Sequence, residues 1–349
     1  NILQSGSLLT KNKLHFESIN WNIERKSVLR WLNGIFNPKL RFDRNRHRDC
    51  LKKLDIQQID KDLHYEEFRG ILRGYNRDVT KSPILAKEKY MEIGKKRGRV
   101  EIKDRIKIHE IANRVMKFWE RDNEWGRNLG GWDSQDVVHW LVNELKKLIN
   151  ENYPFNRFDS IFVDEVQDLT HSEMFLILKM LAPGGRLSAT GDIAQSVQPS
   201  SFTWHDLKEL ITEVHKVKPE SEHLLKENFR STPILVKVAN EILQMQHEVL
   251  DEQPSKLQKP FADENGEPVM VFSRSEVNDL FRILKENELP NSRCPILVRD
   301  KEKKESLINE FIKYDLETEF IFTIAEFKGM EKTSILLFDP ASGSKRFLD

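Results

Sequence analysis

The sequence predicts an α/β protein with two lobes built on mainly parallel sheets, the first lobe carrying a mostly helical insertion. Three observations lead there. After Pro154, short apolar runs alternate with helical stretches, the pattern of buried parallel strands covered by helices. The rhythm pauses near Lys216–Glu222 and resumes after Pro219, which marks a second unit. Before Asn150, apolar residues recur instead at helical spacing. The expected organisation is residues 1–153 as the helical insertion, 154–217 as the rest of the first lobe, and 218–349 as the second.

The early part is justified by two clear helices. Ile106–Trp119 places Ile108, Ile111, Ala112, Val115, Phe118 and Trp119 on one face. Asp133–Ile149 repeats the pattern, with Asp133 or Ser134 as N-cap and Val137, Val138, Leu141, Leu145 and Leu148 as its stripe. Five of the seven tryptophans fall at or before Trp132, which reads as helix packing. In the later part, strands are expected at Ser160–Asp164, Arg186–Thr190, Pro268–Phe272, Pro295–Val298 and Ser334–Phe338. Helices are expected at Ser172–Leu181, Pro233–Met245, Glu276–Glu286 and Lys303–Tyr314.

Composition narrows the class. The 349 residues carry 56 Lys+Arg and 56 Asp+Glu, so net charge alone identifies no partner. The balance is uneven, however: residues 1–132 hold 30 basic against 18 acidic side chains. A basic half suits a phosphate backbone, although from charge alone a solvated helical surface is the simpler explanation. No apolar run approaches the roughly 18 residues of a membrane span, so no membrane role is expected. Two distant cysteines, Cys50 and Cys294, argue against a disulfide framework and for an intracellular setting, nucleus or cytoplasm.

Four segments carry chemistry. In Phe158–Asp168, an apolar strand ends in Asp164-Glu165, placing two carboxylates at the edge where parallel sheets bind ligands. An Asp there can hold Mg²⁺, and the next acid can take a proton from an attacking water. Gln167 and Asp168 sharpen the pattern. The second segment, Ser188–Ser196, runs from a strand into Gly191-Asp192 and then Gln195, a side chain able to reach a γ-phosphate. It follows the first by 27 residues, one strand–helix–strand unit, which brings the two strands side by side. The third, Asn228-Phe-Arg230-Ser-Thr-Pro233, sets an arginine before a helix that Ser231 or Thr232 can cap. In the fourth, Thr323 and Lys328 lie near a Gly329 turn, suited to phosphate or nucleic-acid contact, and Glu331 can accept from a ribose hydroxyl.

Taken in order, these four segments resemble the D-E-x-Q-D, G-D-x-x-Q-S, N-[YF]-R-S and T-x-x-x-x-K-G-x-E motifs of UvrD/Rep-like superfamily-one helicases. Tyr65–Gly74 and Ser196–Leu207 look most like the large tetratricopeptide/ankyrin-repeat helicase-like proteins of eukaryotes. The resemblance implies two RecA-like lobes of the P-loop NTPase type, both incomplete here, and an ATP hydrolase that moves on single-stranded DNA or RNA. It implies ATP and Mg²⁺ as cofactors, with Asp164 on the metal, Glu165 as base, Gln195 sensing the γ-phosphate and Arg230 stabilising the transition state. Gln167, Asp168, Gly191, Asp192 and Glu331 would serve nucleotide binding, with Glu331 on the ribose. Thr323 and Lys328 would contact nucleic acid, and Phe202 or Trp204 would stack on a base or else belong to the core of the adjoining helix.

The chain also departs from that pattern. No G-x-x-x-x-G-K-[ST] phosphate loop occurs, the nearest imitations being Ile93-Gly-Lys-Lys and Gly329-Met-Glu-Lys-Thr. The expectation is that the chain begins downstream of the loop, that the fragment alone is inactive, and that a longer parent chain adds protein partners. The family's last motif is absent as well. Only 93 residues separate Arg230 from Thr323, room for one lobe without the large insertion of UvrD and Rep. Ile324-Ala325 stands where those helicases often place a histidine. These departures keep a second reading open, a helicase-like scaffold or nucleotide switch that does not unwind.

Overall fold

A computed structural model describes residues 41–77, 82–93, 100–124, 126–150, 157–219, 223–250, 257–261, 266–267, 269–271 and 277–339. The chain divides into two compact units, one built mainly of residues up to Leu224 and the other mainly of those after it.

The first unit opens with helices. Asp43 caps α1 (Arg44–Lys53) by accepting from the Arg46 N–H at 3.1 Å, and Asp60 caps α2 (Lys61–Glu67). The chain continues without a break into a π-helical turn, Phe68–Arg73, a geometry that helical spacing in the sequence does not distinguish from α. Helices α3 (Lys87–Glu92) and α4 (Ile102–Arg121) follow. As expected, α4 buries Ile108, Ile111, Ala112, Val115 and Trp119, while Phe118 only flanks the core. Trp119 is fully buried and stacks on Phe42 with ring centroids 4.2 Å apart, a packing anchor.

Helix α5 (Ser134–Asn150) starts at Asp133, whose carboxylate accepts from the Asp136 N–H while Asp136 accepts from the Asp133 N–H. Of the two cap candidates, the structure uses Asp133. Part of the basic surplus is internal. Arg73 is fully buried between Asp133 (2.7 Å) and Asp136 (2.6 Å), and buried Arg105 donates to the carbonyls of Tyr90, Ile93 and Val100. Those charges brace the helices and are withheld from any external phosphate.

Strand β1 (Phe158–Val163), helix α6 (His171–Met180) and strand β2 (Leu181–Ala189) form the expected crossover, with β1 and β2 parallel. Thr170 and Glu173 close a reciprocal capping box on α6. Helix α7 (Trp204–His215) completes the layer, and α5, α6 and α7 share a core that includes Val142, Phe175, Leu178, Phe202 and Leu210. One expectation fails here. The strands read as covered on both faces, yet Phe162 is 83 % exposed, so one face of this two-stranded pair lies open. Its apolar Ile-Phe-Val run resembles a doubly covered strand because a run carries no information on which faces receive helices.

The second unit contains β3 (Glu227–Asn228), α8 (Pro233–Leu250) and β4 (Lys259–Pro260), with β3 parallel to β4. Then come α9 (Val277–Glu286), β5 (Ile296–Val298), α10 (Lys301–Lys313), β6 (Ile321–Thr323), the short α11 (Ile324–Phe327) and β7 (Leu336–Leu337). Strand β5 lies between β6 and β7, all parallel, and is buried throughout. Phe281, Leu284, Leu307 and Phe311 cover it. The expected strand at Pro268–Phe272 does not form over Val269–Val271, which are exposed, while Pro268 and Phe272 lie outside the described residues. Gly94–Lys96, in one imitation of a phosphate loop, also lie outside them. The result is a mixed α/β protein whose small sheets are parallel at every described strand pairing.

Candidate active site

The parallel register of β1 and β2 creates the first candidate edge. Val163 pairs with Ala189, so Asp164 and Thr190 emerge together, and the Thr190 hydroxyl donates to Asp164 Oδ1 at 2.7 Å. The Glu165 N–H donates to the same oxygen at 2.9 Å. Among the described residues, no donor reaches Asp164 Oδ2, and the side chain is exposed. This donor set fits Mg²⁺, which needs only one or two carboxylates when phosphate oxygens and water supply the rest. No group of three His, Cys, Asp or Glu side chains suited to a metal occurs among the described residues. An ion at Asp164 would draw most of its ligands from elsewhere.

Glu165 sits in the left-handed region at φ 55°, ψ 41°. That conformation is costly for a non-glycine residue and is held by its surroundings. The Val166 N–H donates to the Thr190 carbonyl at 3.0 Å, the Gln167 amide donates to Glu165 Oε2, and a short 3₁₀ turn, Val166–Asp168, follows. The Glu165 carboxylate is thereby held by the Gln167 amide beside the strand ends.

The turn also reverses the outlook of the next two residues. Gln167 is 1 % exposed: its amide nitrogen holds Glu165, and its oxygen accepts from the Asp192 N–H at 3.1 Å. Asp168 is buried, and its Oδ1 accepts from the N–H groups of Val197 (3.1 Å) and Gln198 (3.3 Å). Both side chains join the two motifs from inside. Gly191 passes so close that an added Cβ would meet the Gln167 oxygen and Val166 Cγ1 well inside van der Waals contact. Asp192 Oδ1 accepts from the Ala194 N–H, and its Oδ2 from the exposed Gln195 amide at 2.9 Å. Glu165, Asp164, Asp192 and Gln195 thus share one polar edge, supported from below by Gln167 and Asp168.

The two aromatic candidates separate. Phe202 is buried in the core, and Trp204 meets it edge-on at 5.2 Å while remaining half-buried. Phe202 takes the core alternative, and Trp204, half-buried, packs against the same core.

In the second unit, Asn228 Oδ1 accepts from the N–H groups of Arg230 (3.0 Å) and Ser231 (2.8 Å), fixing the turn into α8. Arg230 and Glu331 form an ion pair with each other, and their side chains are 73 % and 62 % exposed. Thr323 is buried as the cap of α11, in a reciprocal box with Glu326. Burial raises the Glu326 pKa, but the Thr323 N–H and the Lys304 ammonium at 2.9 Å outweigh it, so the carboxyl lies below its ordinary value. Lys328 is half-buried at the start of the Gly329 turn, where φ is 83°.

Sequence reasoning missed Thr190, although its place one residue before Gly191 and its register with Asp164 were available signals. It also missed Phe229, 69 % exposed beside Arg230 and tilted by 36° against Phe261 at 4.3 Å between centroids. Two apolar aromatics together in solvent are uncommon enough to mark a contact surface.

Comparison with known proteins agrees with the motif reading. Residues 223–338 match the UvrD-like helicase C-terminal domain. The human TPR and ankyrin repeat-containing protein 1 is 24 % identical over 303 residues, which is 82 % of this chain and 10 % of that protein. An ATP-dependent helicase/nuclease of Streptococcus uberis is 23 % identical over 210 residues, 59 % of this chain and 16 % of that one. ATP-dependent DNA helicase PcrA of Staphylococcus aureus is 28 % identical over 153 residues, 42 % and 19 % respectively. The chain therefore resembles UvrD-type helicases and a repeat-bearing relative, and spans between a tenth and a fifth of the length of these proteins.

Proposed function

We propose that the protein containing this chain hydrolyses ATP and couples the hydrolysis to movement on single-stranded DNA or RNA. The observation that carries the reading is the edge at the ends of β1 and β2, where Asp164, Glu165, Asp192 and Gln195 converge on a buried scaffold. The helicase relatives and the match over residues 223–338 supply the class of chemistry.

In this reading Asp164 offers its open carboxylate oxygen to Mg²⁺, which would neutralise phosphate charge when bound with nucleotide. Glu165 accepts the proton of the attacking water, and Gln167 fixes the direction of that carboxylate. Gln195, held by Asp192, can exchange its hydrogen bond for one to a γ-phosphate or its water. Arg230 is proposed as the anion ligand of the second unit and Glu331 as its hydroxyl acceptor. Lys328 and Trp204 are the proposed nucleic-acid contacts, with stacking on Trp204 worth about 1–3 kcal/mol per base, while Thr323, buried as the α11 cap, would act by shaping the turn that carries Lys328. No helix among the described residues is long and apolar enough to cross a membrane.

The test is ATP turnover by the full-length protein with and without single-stranded oligonucleotide, beside Glu165→Gln. Turnover stimulated by the oligonucleotide should fall roughly 10²–10⁴-fold in the variant, the range for loss of a general base. Unchanged turnover in Glu165→Gln would remove the proposal. Tight ATP binding with no turnover in either protein would replace it with a nucleotide switch.

A further inference from the structure

The segment Tyr65–Asn76 contributes none of the motif residues, yet it is packed directly against the loop that follows Gln195. Arg69, 6 % exposed, donates to the Pro199 carbonyl at 2.6 Å and lies 4.0 Å from Glu173. Glu173 is itself buried and tied to Gln135 at 3.2 Å and to the Thr170 N–H at 2.7 Å. Gly70 lies beneath the same loop: a Cβ there would come within 3.0 Å of Ser201 Oγ and 3.2 Å of the Pro199 carbonyl oxygen. Tyr75 reaches past the loop to the Asp206 carboxylate at 2.6 Å, near the start of α7, and to the Ser201 carbonyl at 3.4 Å. From the other side, Asp168 holds the N–H groups of Val197 and Gln198, and Ser200 donates to the Gln167 carbonyl. The loop is therefore clamped between the motif turn and the π-helical turn.

That arrangement has a mechanical consequence. The loop begins at Gln195 and ends at Trp204, so a shift of its middle moves a proposed phosphate sensor and a proposed stacking platform together. The π-helical turn is in turn anchored, through fully buried Arg73, to Asp133 and Asp136 at the start of α5. A buried guanidinium fixed at both ends resists displacement more than an exposed one, since losing either partner strands a charge.

We infer that Arg69, Gly70 and Tyr75 are positioning residues that set the Gln195–Trp204 loop, and so link nucleotide sensing to the strand-facing surface. The inference rests on the proposed function of Glu165 and Gln195 and extends it to residues outside the motifs. None of the three touches a reacting atom; each acts through the loop.

The experiment uses the full-length protein with Gly70→Ala, Tyr75→Phe and Arg69→Lys, beside Glu165→Gln. Arg69→Lys keeps the charge next to Glu173, and Tyr75→Phe removes only a hydroxyl, so the set does not depend on one disruptive change. Amide hydrogen exchange over residues 196–203 is measured with ATP turnover in the presence of a single-stranded oligonucleotide. Exchange in that loop should quicken in Gly70→Ala and Tyr75→Phe while peptides of α4 stay unchanged. Stimulated kcat should fall about 10- to 100-fold, the effect of a displacement near 1 Å, with KM for ATP held within about two-fold. A purely structural role would instead lower the melting temperature and leave kcat per folded molecule intact. Unaltered loop exchange in all three variants overturns the inference, as does faster exchange with unaltered kcat. If Glu165→Gln also retains full turnover, the assignment of the base fails, and the exchange result alone decides whether these residues position the loop.

Discussion

At the ends of β1 and β2, the side chains named by the motifs are locked by neighbours, mostly backbone: Gln167 and Asp168 accept from the N–H groups of Asp192, Val197 and Gln198, and Asp164 from the Glu165 N–H and the Thr190 hydroxyl. In the second unit, Arg230 and Glu331 meet each other in solvent, and Thr323 has turned inward as a helix cap. The first edge has its geometry set by folding, before any ligand arrives. That is the condition under which fixed dipoles stabilise developing charge without reorganising. The second offers an exposed cation whose partner an anion can displace at little cost, because an exposed ion pair is worth about 0–1 kcal/mol. Folding should therefore govern one edge and ligand the other.

The difference extends to pH, where the largest effect is expected. The first unit buries His47, His64 and His139. Burial lowers all three pKa values, that of His64 to about 4 and that of His139 to about 3, with the Arg73 cation adding to the effect at His139. The His64–His47 contact at 2.9 Å also adds repulsion if both gain protons. A histidine with a depressed folded pKa contributes its full stability above the unfolded value of about 6.5, and that stability is lost as pH falls toward the folded value. For His64 alone the loss approaches roughly 3 kcal/mol between pH 6.5 and 4. Glu326, whose folded pKa is also lowered, begins to lose its contribution only as pH falls below the ordinary carboxylate range. Hydrogen exchange at pH 5.5 should thus show α1, α2 and α5 opening before β5 and α10. Equal weakening of both units would erase the distinction.

Gly191→Ala tests the packed edge directly. The new methyl has to displace the Gln167 oxygen and Val166, and overpacking of this kind costs about 1–3 kcal/mol. The urea midpoint of the first unit should drop accordingly, and the Asp192 amide should lose protection as its acceptor is pushed away. An unchanged midpoint would mean that the edge is as compliant as the exposed pair of Arg230 and Glu331.

Much of this was readable from residues alone. The β1–α6–β2 crossover follows from apolar runs and spacing, and the same spacing brings Asp164 beside Thr190. What spacing cannot show is where a side chain points after a 3₁₀ turn. Gln167 and Asp168 follow Glu165 in sequence but turn into the protein, because the left-handed Glu165 reverses the chain. The π-helical turn at Phe68–Arg73 was hidden for a related reason: its apolar pattern overlaps that of an α-helix, while the hydrogen-bond partners of Arg69 within it and of Tyr75 just after it lie more than 100 residues away. The missing strand at Val269–Val271 shows the converse, since β-branched composition does not supply a ladder partner.

The smallest effect is expected at Glu331. Glu331→Gln removes the charge facing Arg230 while keeping a similar shape, and both side chains are mostly in solvent. Stability should change by less than about 1 kcal/mol, within the range of exposed ion pairs. A midpoint shift well beyond that would show that the second unit also depends on its motif side chains for folding. The expected null has a use of its own: Glu331→Gln releases Arg230 from that carboxylate without disturbing the fold around it. Changed ATP affinity in that variant then reports on the ligand, whereas the same change in Gly191→Ala would report on a moved scaffold.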